Sequence, residues 1–74
     1  MNVGEKVKVV KIPEDLPEDN KSVIRLFNGC LGKTFEIAAF DGDLIELHVG
    51  SAFGDAPDKH KIWLPREFLK RVLT

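Results

Sequence analysis

The side chains able to do chemistry are few and scattered. The chain has one cysteine, Cys30, two histidines, His48 and His60, and no tyrosine. The histidines flank the segment from Gly50 to Lys59, and with Asp55 or Asp58 they offer atoms that zinc accepts. No Cys-x-x-Cys or His-x-x-x-His pair accompanies them, so the spacing of a built zinc site is missing. Ser22 and Ser51 are the serines a hydroxyl triad would need, yet no Gly-x-Ser-x-Gly turn presents either. No P-loop or Gly-x-Gly-x-x-Gly run is present to cradle phosphate. Cys30 stands between Gly29 and Leu31 beside the expected end of a helix, where negative potential raises a thiol pKa. It reads as a small buried hydrophobe. The expectation is a chain that is not an enzyme and needs no cofactor or metal.

Composition narrows the classes further. With 74 residues, residues 1–74 are read as a single domain. Hydrophobic residues at 43% and charged residues at 31% describe a globular mixture, not a disordered one. Eleven Lys and Arg against twelve Asp and Glu give a net charge of −1, which excludes a strongly basic nucleic-acid coat and a polyacidic tail. One cysteine cannot make an internal disulfide, and a reducing cytoplasm is the expected location. The opening Met1-Asn2-Val3-Gly4-Glu5-Lys6 has neither an apolar leader stretch nor a glycine at position 2. No apolar run approaches the ~20 residues that span a bilayer, so no membrane contact is expected.

The elements follow from hydrophobic spacing. Glu5 to Ile12 alternates Lys6 and Lys8 against Val7 and Val9, and the doublet Val9-Val10 shifts the parity, which predicts a bulge or a strong twist there. Pro13 ends this strand, and Glu14-Asp15-Leu16-Pro17-Glu18-Asp19 reads as an exposed acidic loop. A short helix is expected over 21–28, capped by Asn20 or Ser22, with Gly29 at its C′ position. Lys33 to Phe40 alternates again, placing Phe35, Ile37 and Ala39 on one face and Glu36, Ala38 and Phe40 on the other. Asp41-Gly42 predicts a type I′ hairpin turn, after which Ile45, Leu47 and Val49 face inward. Gly50 to Lys59 reads as a long mobile loop. His60 to Leu64 makes a fourth strand, Pro65 to Phe68 a single helical turn, and Leu69 to Leu73 a last strand. The fold class is mainly β: a single small five-stranded barrel with one inserted helix.

Two stretches carry resemblances. Lys61-Ile62-Trp63-Leu64-Pro65-Arg66-Glu67-Phe68-Leu69-Lys70-Arg71-Val72 resembles the end of Src-homology-3 domains, where a strand, a Pro-x-x-aromatic turn and a final strand follow one another. Phe27-Asn28-Gly29-Cys30-Leu31-Gly32-Lys33-Thr34-Phe35-Glu36-Ile37 is similar to a KOW motif, with Gly4-Glu5-Lys6-Val7-Lys8-Val9 as its lead-in strand. Both resemblances imply an SH3-like barrel. They do not imply one function. The chain lacks the tyrosines and the Ala-Leu-Tyr-Asp-Tyr signature of polyproline-binding modules, and Pro13 to Leu26 interrupts the KOW pattern with an acidic loop and a helix. In layout it also looks like small accessory barrels such as the peripheral stromal subunit of photosystem I and the variable chain of ferredoxin–thioredoxin reductase, which implies a subunit without chemistry of its own.

The remaining signals concern surfaces. Trp63 alternates out of phase with Ile62 and Leu64, and Phe40, Leu44 and Phe53 are likewise left outside the core. Either the inserted helix covers these residues, or they form an exposed patch that docks a partner protein. Lys6, Lys8 and Lys11 lie on the first strand and Lys59, Lys61, Arg66, Lys70 and Arg71 near the end. First and last strands of a small barrel are neighbours, so a basic face is a second possibility. Two functions follow: a non-catalytic protein-interaction module or accessory subunit that docks through Trp63, Phe40 and the acidic loop, or a KOW-like binder of RNA using Lys6, Lys8, Lys33, Lys61 and Arg71.

Overall fold

The longer strands of this protein are segments in which apolar residues return at every second position. The computed structural model describes residues 1–72. They form five strands, β1 (Lys6–Val9), β2 (Thr34–Asp41), β3 (Leu44–His48), β4 (Lys61–Pro65) and β5 (Leu69–Arg71), and one α-helix, α1 (Lys21–Cys30), between β1 and β2. The strands make one antiparallel sheet in the order β4-β3-β2-β1-β5. The protein is therefore mainly β with a single helix, as the alternation predicts. Among the described residues no helix is long and apolar enough to cross a membrane.

One face of the sheet carries the core. Val7, Val9, Phe35, Ile37, Ile45, Leu47, Val49, Ile62, Leu64, Leu69 and Cys30 of α1 form one buried cluster. Leu64 and Leu69 come from the two edge strands, so the sheet curves around a shared core. It does not close. β4 pairs with β3 and β5 with β1, and among the described residues no ladder joins β4 to β5. The chain passes between them through a 3-10 turn, Arg66–Phe68.

Local chemistry explains where the elements begin and end. Asn20 Oδ1 accepts from the Val23 N–H at 3.2 Å and caps α1. The helix runs past residue 28 to Cys30, with Gly29 inside it rather than at C′. A Cβ at Gly29 would stand 2.7 Å from the Phe53 ring, so this glycine permits a close approach. Gly32 supplies the left-handed residue instead, with φ +81°.

Other boundaries also depart from the sequence reading. β1 stops at Val9, and the bulge there lies on the facing segment. The Gly32 N–H donates to the Val9 carbonyl at 2.8 Å and the Val9 N–H to the Lys33 carbonyl at 2.9 Å, so two residues oppose one. The Val10 N–H turns to the Phe68 carbonyl at 2.9 Å. A second irregularity lies in β2, where the register shifts between Ile37 and Ala39. The hairpin turn is Gly42-Asp43, because Asp41 pairs with Leu44. Only Gly42 has positive φ, +58°, which is the pattern of a type II′ turn, not I′. Pro65 ends β4 instead of opening the helical turn. The expected last strand is shorter, Leu69–Arg71, and Leu73 lies outside the described residues.

The segment after β3 is compact. It folds as two 3-10 turns, Gly50–Phe53 and Pro57–Lys59. Asp55 N–H donates to the Gly50 carbonyl at 3.0 Å, and Val49 N–H to the His60 carbonyl at 2.7 Å, which closes the segment onto the β3–β4 hairpin.

Candidate docking face

Residues directly opposite in an antiparallel pair share a face of the sheet, so register alone sorts the exposed side chains. Trp63 lies opposite Glu46, His48 opposite Lys61, and Leu44 opposite Pro65. Ile45, Leu47, Ile62 and Leu64 point into the core. Trp63, Leu44, Glu46 and His48 therefore stand together on the outer face of β3 and β4. Trp63 is 42% exposed and Leu44 38%. His48 Nε2 sits 2.7 Å from Glu46 Oε2, which fixes a polar pair beside the indole. The helix does not shelter this face: its apolar side, Leu26, Phe27 and Cys30, packs against the inner cluster.

Phe40 and Phe53 belong elsewhere. The register shift in β2 sets Phe40 opposite Ile45, on the face away from Trp63, where it remains 47% exposed at the rim. Unbroken alternation would have set Phe40 opposite Leu44 and beside the indole. Phe53 is partly buried against the core. Its ring meets His60 edge-on, with centroids 5.5 Å apart. Of the four apolar residues expected to make one patch, the structure brings together Trp63 and Leu44.

The basic residues also divide. Lys6 lies opposite Glu36, and Lys8 lies between Thr34 of β2 and Lys70 of β5. Lys6, Lys8 and Lys70 thus share the outer face, and the Lys8–Lys70 pair sets two like charges side by side. Lys33 meets β1 through its backbone, its carbonyl accepting from the Val9 N–H at 2.9 Å, and its charge lies near Cys30 rather than on the outer face. Lys61 is on β4, the opposite edge strand. Arg71 is paired: its Nε lies 2.9 Å from Glu5 Oε2. That oxygen is buried and has no aligned hydrogen bond, so the contact is ionic. Lys70 was not among the expected site residues, although its parity with Leu69 was available to find it. Between the basic corner and His48 runs an open groove of about 560 Å³, lined by Lys6, Thr34, Glu36, Ala38, His48 and Ser51.

The histidines and the cysteine occupy separate environments. His60 pairs with Val49, on the other face from His48, and its Nε2 lies 3.2 Å from Asp55 Oδ2. Among the described residues no three metal-ligating side chains gather. Cys30 is fully buried, and that burial pushes its thiol from 9.0 up to about 11, with nearby Lys33 opposing the shift. Because the folded-state value is the higher one, its contribution to stability is complete below pH 9 and is lost as pH rises toward 11. The full contribution is about 2–3 kcal/mol. Denaturation between pH 8 and pH 11 should show this loss in the native protein and not in Cys30→Ala. At pH 8, an aromatic disulfide reagent should label Cys30 at least about 100-fold more slowly in the native state than in urea, because the thiolate fraction falls with the raised pKa.

No family profile matches the chain, and neither a curated protein nor a solved structure was found to be similar to it.

Proposed function

We propose that this protein is a non-catalytic interaction module, an accessory subunit that docks a partner protein through the outer face of β3 and β4. One observation carries the reading: Trp63 and Leu44 are both exposed, as diagonal neighbours, on the outer face of a regular pair of strands, next to the Glu46–His48 pair. A large amphipathic ring in that position supplies contact area at low entropic cost, and such rings dominate binding energy at protein interfaces. In the same reading the curved sheet is an SH3-like barrel; the adjacency of β1 and β5 and the shared core of both edge strands support it. The acidic side chains Glu14, Asp15, Glu18 and Asp19 of the segment before α1 are exposed.

A second reading rests on the Lys8–Lys70 pair. Like charges placed opposite each other destabilise a sheet, and a phosphate backbone running past Lys6, Lys8 and Lys70 would relieve the repulsion. That is the KOW-like RNA binder. One experiment separates the two: tagged protein is used for capture from its native lysate, half of it nuclease-treated. A partner protein retained after nuclease is the expected result. Partners lost with nuclease would transfer the assignment to RNA.

A further inference from the structure

We infer that β4 is the seam of a symmetric dimer, in which its free edge pairs antiparallel with β4 of a second copy. The hydrogen-bond alternation shows which backbone groups are free. The Val49 N–H donates to the His60 carbonyl, and bonded pairs in an antiparallel ladder recur every second residue. Ile62 and Leu64 therefore direct their backbone groups at β3, while Lys61 and Trp63 direct theirs away from the sheet. Among the described residues nothing pairs with that edge.

A two-fold axis at Trp63 satisfies it. The Trp63 N–H of each copy donates to the Trp63 carbonyl of the other, and each Lys61 N–H donates to the opposing Pro65 carbonyl. Pro65 has no N–H, so sliding the seam toward Arg66, which would set Pro65 opposite Trp63, removes donors.

Charge favours the same arrangement. Lys59 and Lys61 mark one end of β4, and the Asp41-Gly42-Asp43 turn lies beside the other, because Leu44 pairs with Pro65. Antiparallel pairing brings the basic end of each copy to the acidic turn of the other. The β5 edge is worse suited, since Lys70 lies beside Lys8 there and a second copy would add two more lysines. The seam consumes backbone groups and leaves both indoles on the outer face. The two Trp63–Leu44 pairs then join into one strip across the axis, so the inference goes beyond the docking reading and would enlarge its surface. A seam of one short strand buries well under the about 1,600 Å² of a standard interface, so the association is weak.

The test is sedimentation equilibrium from ~10 μM to ~1 mM, with amide exchange at both ends of that range. Reversible dimerisation is expected, with the Lys61 and Trp63 amides gaining protection as concentration rises and the Leu69 and Arg71 amides unchanged. Lys61→Glu and Asp43→Lys should each weaken the dimer about tenfold, and the double variant should restore it. Trp63→Lys, which sets like charges face to face, should abolish it. A monomer at ~1 mM, a dimer whose Trp63 amide ignores concentration, or single variants that dimerise normally would each overturn the inference. Lys61→Glu keeps the indole, so partner capture by a monomeric Lys61→Glu variant separates failure of the seam from failure of the docking face.

Discussion

Leu64→Ala is expected to unfold this protein, whereas Trp63→Ala, one residue away, leaves it folded. Leu64 is fully buried at the centre of the shared core, and truncating such a residue costs about 2–5 kcal/mol in transfer and cavity terms. A domain of this length holds roughly 3–5 kcal/mol in total, so the variant would be largely unfolded at 37 °C. Trp63 stands opposite Glu46 on the outer face and is 42% exposed, so its truncation costs less than that of a core residue, about 1–2 kcal/mol. Urea titrations followed by far-UV circular dichroism check both values. Equal destabilisation by the two substitutions would mean that Trp63 is packed, and the docking face would lose its anchor.

Gly50→Ala is expected to cost about 3 kcal/mol, more than a glycine in a loop normally would. An added Cβ would lie 1.9 Å from the Ala56 carbonyl oxygen and 2.9 Å from its carbon. Both are backbone atoms, and the same oxygen already accepts from the Lys59 N–H at 3.0 Å, so the two 3-10 turns would have to separate. Gly42→Ala is the control. Its φ of +58° is strained for alanine but the space around it is open, so about 1 kcal/mol is expected there. A Gly50→Ala variant as stable as Gly42→Ala would contradict the packing of this segment.

These two sites also show what the sequence could and could not reveal. Alternation through Val7 and Val9, Ile45 and Leu47, and Ile62 and Leu64 identified the inward side chains, and the same parity set Trp63 outside. The helix start was readable as Asn20 or Ser22, and the Val23 N–H selects Asn20. The register shift in β2 was not readable, since Ala38 and Ala39 are both small and give no contrast of polarity across the bulge. That shift is what carries Phe40 off the Trp63 face. The segment after Gly50 looked irregular because 3-10 turns leave no apolar period, and the need for glycine at position 50 arises from a backbone six residues later. Arg71 and Glu5 are distant in the chain and meet only because β5 docks beside β1. The same docking sets Lys70 beside Lys8.

The most direct measurement of the central claim is quantitative capture of the retained partner by wild type, Trp63→Ala and the Lys8→Glu/Lys70→Glu double variant, after nuclease treatment and with folding verified for each. Trp63→Ala should lose at least about 30-fold in affinity, the cost of a central aromatic anchor, while the lysine variant binds within a few-fold of wild type. Undiminished capture by a folded Trp63→Ala variant would contradict the claim.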